Sequence, residues 1–179
     1  GQHFNMKFYK KITFIWIIFL IFQTNLSADV SYYLDFKYIL NQSDAGKKAQ
    51  TYLKNKLDNG AKALKKKEKA IQEEERKIIQ QKKVVSAEEY KKKVNGLRNK
   101  VNSLQKERNS LLSEVSKQRS KAKTELLKNL NPIIQEYMKE KNIRIVLDKK
   151  SILLADENLD ITQDIVKRFN SKLKSIKLN

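Results

Sequence analysis

Residues 83–104, KVVSAEEYKKKVNGLRNKVNSL, decide how this chain folds. Ser86 is a good helix N-cap, and Glu89, three residues on, completes a capping box. Val85 and Tyr90 stand where a hydrophobic staple places its two apolar residues. From there the apolar residues follow heptad spacing: Tyr90, Val94, Leu97, Val101 and Leu104, then Leu111 and Val115 with Arg108 interposed. Upstream, a seven-residue repeat runs through Leu57, Leu64, Ile71, Ile78 and Val85, but its companion positions hold Ala61, Glu68, Glu75 and Lys82. A helix ending near Lys83 and another beginning at Ala87 leave only a few residues to turn. So short a connection makes the two helices antiparallel neighbours.

The sequence therefore predicts a helical hairpin over residues 43–141 with its tip near 84–86. Each arm should be about 60 Å long at a rise of about 1.5 Å per residue. Folding about the tip sets Val94 opposite Ile78, Val101 opposite Ile71 and Val115 opposite Leu57. Leu97 and Leu104 fall opposite the polar stretches around Glu74 and Lys67, so the seam is thin. Pro132 is expected to interrupt the returning helix, with Asn131 capping a last segment to about Lys141.

Outside the hairpin the period changes to two. Val30, Tyr32 and Leu34 alternate with Ser31, Tyr33 and Asp35, which predicts a strand over 30–35. A helical pattern begins near Phe36 and pauses at Asn41-Gln42-Ser43. Beyond Asn142, Ile143, Ile145 and Leu147 alternate with Arg144 and Val146. Lys149-Lys150 then reads as a turn into Ile152-Leu153-Leu154-Ala155, predicting a β-hairpin. A final helix from about Thr162 places Ile165, Phe169, Leu173 and Ile176 on one face. The fold class is α+β: a small β-body from residues 29–42 and 142–179, carrying the hairpin arm.

The N-terminus reads as an address. Met6 opens a segment with Lys7, Lys10 and Lys11 ahead of an apolar run from Ile12 to Phe22, followed by Leu26-Ser27-Ala28. The run is shorter than the roughly 20 apolar residues that span a bilayer. Cleavage is expected between Ala28 and Asp29; Gly1 to Asn5 precede the expected initiator. Removing three lysines lowers the formal net charge from +19 to +16 (19 − 3).

Charge and composition narrow the function. The chain has no cysteine and one histidine, His3, which lies ahead of the expected cleavage point. The remainder has neither imidazole nor thiol, the usual groups for acid–base or nucleophilic work near neutral pH, so an enzyme is disfavoured. Asp156-Glu157-Asn158-Leu159-Asp160 copies the first ligands of a calcium loop, but Ile161 and Lys167 occupy the places of its glycine and closing glutamate. Those acids read as a polar turn and a helix cap. Gly46-Lys47-Lys48 lacks the first glycine of a phosphate loop, where Asn41 stands. No cofactor or metal is expected. Between Lys91 and Lys128 there are 12 Lys or Arg against 3 Glu, a surplus that draws anionic partners. Nucleic acid is not expected among them, for no recognition motif accompanies the charge.

Residues at both ends of the exported chain resemble the Skp/OmpH family of periplasmic chaperones. At the front are a short strand ending in Asp35, then Phe36, Ile39-Leu40, Ser43, Ala45-Gly46-Lys47-Lys48-Ala49 and Leu53. At the back are Ile143 to Asp148 (IRIVLD), Ile152-Leu153-Leu154-Ala155, and Asp160-Ile161-Thr162 opening the last helix. The resemblance implies a homotrimer shaped like a jellyfish: a β-body with three helical arms around a cavity that holds unfolded outer-membrane β-barrel proteins in the periplasm, without ATP. Lipopolysaccharide or an anionic membrane surface is a further expected partner. Val30, Tyr32, Leu34, Ile145, Leu147, Ile152 and Leu154 are the candidate trimerisation residues, since so small a sheet needs a partner surface. Lys91, Lys92, Lys93, Leu97, Arg98, Lys100 and Leu104 are the candidate client-binding residues of the arm. The rival reading is an exported basic coiled-coil spacer or adaptor on anionic envelope surfaces. The intact mass of the exported protein should correspond to a chain beginning at Asp29; a product that retains Trp16 would make the segment an anchor.

Overall fold

The computed structural model describes residues 29–178; the expected export segment, residues 1–28, lies outside the described residues. Strand β1 (Tyr32–Leu34) leads at once into helix α1 (Phe36–Gln42). Asp35 makes that junction, its carboxylate accepting from the Tyr38 amide at 2.9 Å. Helix α1 stops at Ser43, whose buried hydroxyl accepts from the Gly46 amide at 3.1 Å and so caps helix α2 (Asp44–Gln81).

Helix α2 and helix α3 (Ala87–Lys141) are the arms of the hairpin. Ser86 opens α3 by accepting from the Glu89 amide at 3.2 Å, as the capping box requires. At about 1.5 Å per residue the 38 residues of α2 span about 57 Å. The 55 residues of α3 run past the start of α2 and into the body. Asn142 ends α3 in the left-handed conformation, φ 54°, with its amide donating to the Lys139 and Met138 carbonyls. Strand β2 (Val146–Asp148) follows, and helix α4 (Thr162–Lys172) closes the body.

Three expectations are corrected. Pro132 does not interrupt α3. It removes one donor from the helix, but Leu130, Ile133, Ile134 and Tyr137 around it are all buried, and that packing holds the helix together. The predicted β-hairpin does not form: Lys149–Ser151 is a 3-10 turn, and Ile152–Ala155 is not a strand. Instead β2 pairs in parallel with β1, Tyr32 against Val146 and Leu34 against Asp148. The last helix stops at Lys172, so Leu173 is its cap and Ile176 lies in the tail beyond it rather than on the α4 face.

The ends of the chain meet around β1. Tyr32 donates to the Ile145 carbonyl at 3.2 Å, and Ile161 donates to the Tyr33 carbonyl at 2.9 Å. The Asp35 amide donates to the Thr162 hydroxyl at 2.9 Å. Beneath these bonds lies the core: Leu34, Ile39, Leu130, Ile165 and Phe169, all fully buried, with Leu126, Ile133, Ile134 and Tyr137. Each such side chain contributes about 2 kcal/mol by leaving water. At its margin the Tyr137 hydroxyl donates to Asp164 at 2.8 Å, and Arg168 lies over the Tyr137 ring. Burial, then the Asp164 carboxylate, pushes the Tyr137 hydroxyl up to about 12. A smaller cluster of Ala49, Leu53, Ala122 and Leu178 pins the tail to the base of the arms, where the Gln118 side-chain amide donates to the Leu178 carbonyl at 3.1 Å.

Two glycines separate packing from propensity. A Cβ on Gly46 would fall 1.8 Å from the Leu40 carbonyl oxygen, whereas nothing lies within 4 Å of one on Gly96. Gly46→Ala should therefore destabilise the body by about 3 kcal/mol. Gly96→Ala should stabilise the arm by about 1 kcal/mol through helix propensity alone. Denaturant midpoints of the two variants check both signs.

Candidate functional site

The arms are held by a few apolar contacts with ion pairs filling the intervals. Beyond the part of α3 that enters the body, buried large side chains are sparse along the hairpin: Leu53, Leu64 and Ile78 on α2, Leu104 and Val115 on α3. Between them ion pairs cross the seam: Lys100 with Glu74 at 2.6 Å, Lys67 with Glu107 at 2.7 Å, Arg108 with Glu68 and Lys56 with Glu114, both at 3.7 Å. All are largely exposed, so each contributes well under 1 kcal/mol and weakens with salt. Within α2 the Arg76 guanidinium holds the Glu73 carboxyl below its ordinary range. At Gly60 the arms come close enough for the Leu111 side chain to fill the space a Cβ would need.

Among the predicted arm residues the structure makes distinctions. Lys100 is spent on its cross-arm pair. Lys91, Lys92, Lys93 and Arg98 form no ion pair among the described residues, although Lys93 donates to the Gln81 side chain at 3.0 Å. Leu97 is half-buried, but Leu104 is only 8% exposed and belongs to the seam. The Lys100–Glu74 pair crosses the hairpin one turn before it, and the Lys67–Glu107 and Arg108–Glu68 pairs one turn after. Long charged side chains can cover apolar surface with their stems, which accounts for burial of an apolar residue opposite a polar stretch.

The second surface is on the body. Strand β1 is occupied on both sides, by β2 and by the bridge from Tyr33 to Asp160, whereas β2 has a bare outer edge among the described residues. Val30, Ile145 and Leu147 are exposed beside it. Leu34, a predicted trimerisation residue, is instead fully buried in its own chain's core, and Tyr32 and Ile152 are half-buried. Leu154 is 90% exposed, and its neighbour Leu153, which sequence reading left out of the assembly set, is 96% exposed. The failure of the expected hairpin explains the exposure of Leu154, since a strand over 152–155 would have covered the face that Ile152 and Leu154 share, with Leu153 on the other. Asp160 accepts from the Thr162 amide at 2.9 Å and Asp156 from the Asn158 amide at 2.9 Å. These acids cap turns.

A three-residue parallel strand pair, a body closed by the chain's two ends and one long antiparallel helical arm define a small α+β body carrying a tentacle. The profile of the family described as Outer membrane protein (OmpH-like) matches residues 31–169, most of the chain. The chain belongs to that OmpH-like family. Among solved structures it is similar to a protein from Caulobacter crescentus CB15 described as an OmpH-like outer membrane chaperone. The two share 20% sequence identity at a TM-score of 0.77, covering 82% of this chain and 87% of the other. At that identity the likeness is one of fold. No curated protein matches this chain.

Because Leu104 sits in a sparse seam, Leu104→Ala should cost about 3 kcal/mol, more than Leu97→Ala. Hydrogen exchange of the amides around residue 104 should quicken in the first variant and change little in the second.

Proposed function

We propose that this chain is an ATP-independent holdase chaperone of the periplasm, which it reaches through the export segment cleaved after Ala28. Three copies join through their β-bodies, and the arms enclose a cavity in which unfolded outer-membrane β-barrel proteins are held against aggregation. The observation that carries this reading is the pairing of two features in a member of the OmpH-like family. A stiff arm has a cationic surface largely free of acid partners, and a body leaves a bare strand edge and apolar side chains in water. Exposed apolar side chains beside an unpaired strand edge favour an interface there. The cationic arm gathers acidic chains by long-range attraction, and its thin seam lets the hairpin flex around clients of different size. The same charge favours lipopolysaccharide or an anionic membrane surface as a secondary partner.

Stopped-flow binding of an unfolded acidic β-barrel protein tests the mechanism, with light scattering to count the copies. Attraction between exposed charges is screened over about 10 Å at 0.1 M salt. Association should therefore slow about tenfold between low and moderate salt, while release changes less. Reversing Lys91, Lys92 and Lys93 to Glu should slow association in the same way without unfolding the arm. Capture that ignores both salt and the reversal, or that requires ATP, returns the protein to the spacer reading.

A further inference from the structure

Beyond α4 the chain runs back onto the base of the arm. This tail lies past residue 169, where the match to the family profile stops, so the family likeness does not account for it. Ile176 is half-buried and packs against both apolar clusters, Lys177 is exposed, and Leu178 is buried with Ala49, Leu53 and Ala122. Inward, outward, inward is the alternation of a β-strand. The notch that takes Leu178 owes its room to two small residues, Ala49 of α2 and Ala122 of α3.

Two features make the tail a loose occupant of that notch. Gln118 engages its backbone with only half of the side-chain amide: Nε2 donates to the Leu178 carbonyl at 3.1 Å, while Oε1 is buried with no hydrogen-bond partner among the described residues. A side-chain amide can both donate to and accept from a peptide backbone, so the notch offers an acceptor that the tail does not use. A buried acceptor left without a partner weakens the tail's hold. The second feature is charge. Along α3, Lys117, Arg119, Lys121 and Lys123 flank Gln118 and Ala122, all four exposed, and the tail brings Lys174 and Lys177 to the same place. Lys174 reaches Asp44 at 3.3 Å, but Lys177 forms no ion pair among the described residues. A cationic segment thus lies on a cationic surface, where an acidic segment of the same apolar spacing is the better complement.

We infer that the notch is a docking site for one strand of an unfolded client, a segment in which apolar and acidic residues alternate, and that the tail is its tethered stand-in. Strands of outer-membrane β-barrels alternate apolar and polar residues with a period of two, the pattern of Ile176-Lys177-Leu178. An apolar side chain of the client takes the place of Leu178, a backbone N–H donates to Gln118 Oε1, and the acids lie against the cations of α3. The tail covers the notch while the protein is empty and leaves when a client strand competes for it. This rests on the client reading above and gives that reading a site at the root of the arm.

The test uses the exported chain and a short blocked peptide in which leucine and aspartate alternate, with a control of the same composition whose leucines are contiguous. Leu178→Lys adds another like charge and frees the tail. It should tighten binding of the alternating peptide about tenfold, the factor lost when a tail covers its site about nine-tenths of the time. The control peptide should not gain, and adding Gln118→Met should cancel most of the gain. Because the chain has no cysteine, Ala122→Cys with Leu178→Cys can lock the tail in place. Oxidation should then abolish peptide binding and reduction restore it, with circular dichroism showing that each variant is folded. A folded Leu178→Lys variant that gains no affinity, an equal gain by both peptides, or binding that ignores the lock makes the tail a structural strap and overturns the inference. Solubility of an unfolded acidic β-barrel protein is read in parallel. Protection without the peptide pattern overturns the notch and leaves the holdase standing, and no protection by any form removes both readings.

Discussion

Three hydrogen bonds around β1 hold together parts of the chain that are far apart in sequence: Tyr32 to Ile145, Ile161 to Tyr33, and Asp35 to Thr162. If the residues between them were a flexible loop, bringing its ends together would cost roughly 4 kcal/mol by loop closure alone. The hairpin reduces that cost, because two helices joined by a tight tip return the chain to its start as they form. The arm is thus a structural precondition of the body as well as an appendage to it. The body in turn anchors the arm, since its core draws on Leu126, Leu130, Ile133, Ile134 and Tyr137 of α3.

That division of labour explains how stability is distributed. Near the body the fully buried side chains crowd together, and the tail reinforces the arm base through Leu178, Gln118 and the ion pair of Lys174 with Asp44. Farther out only isolated residues such as Leu64, Ile78 and Leu104 are buried, and exposed ion pairs fill the intervals. Breaking a buried apolar contact loses several kcal/mol wherever it lies, whereas each exposed ion pair loses tenths, and the buried contacts thin out along the arm. An arm rigid at its root and loosely zipped toward its tip follows from this gradient.

The caps show how much local sequence can say. Ser86 was readable as a helix start, because a hydroxyl before an exposed amide has one low-energy use there, and Ser43 makes the same bond where the helical pattern only paused. Asn142 could end α3 because its short polar side chain tolerates positive φ. Pro132 misled for the opposite reason. Its local preference is real, yet it lies among four buried residues whose packing exceeds the cost of one missing hydrogen bond. Ile143–Ala155 misled because alternation shows that residues are strand-like and not which strand they pair with, and the partner proved to be β1.

The sequence by itself determined the hairpin, its tip, its caps and its charge, since each depends on residues a few positions apart along one helix or turn. Its terminal motifs also carried the family, because they combine several short patterns in a fixed order. Tertiary structure alone decided that β1 and β2 run parallel, that Leu34 is spent inside its own core, and that Leu104 is sealed in the seam. It alone left Leu153 and Leu154 in water. The physical reason is common to all of these. Burial is a sum over neighbours from distant parts of the chain, and no periodicity within one segment records which neighbours those will be.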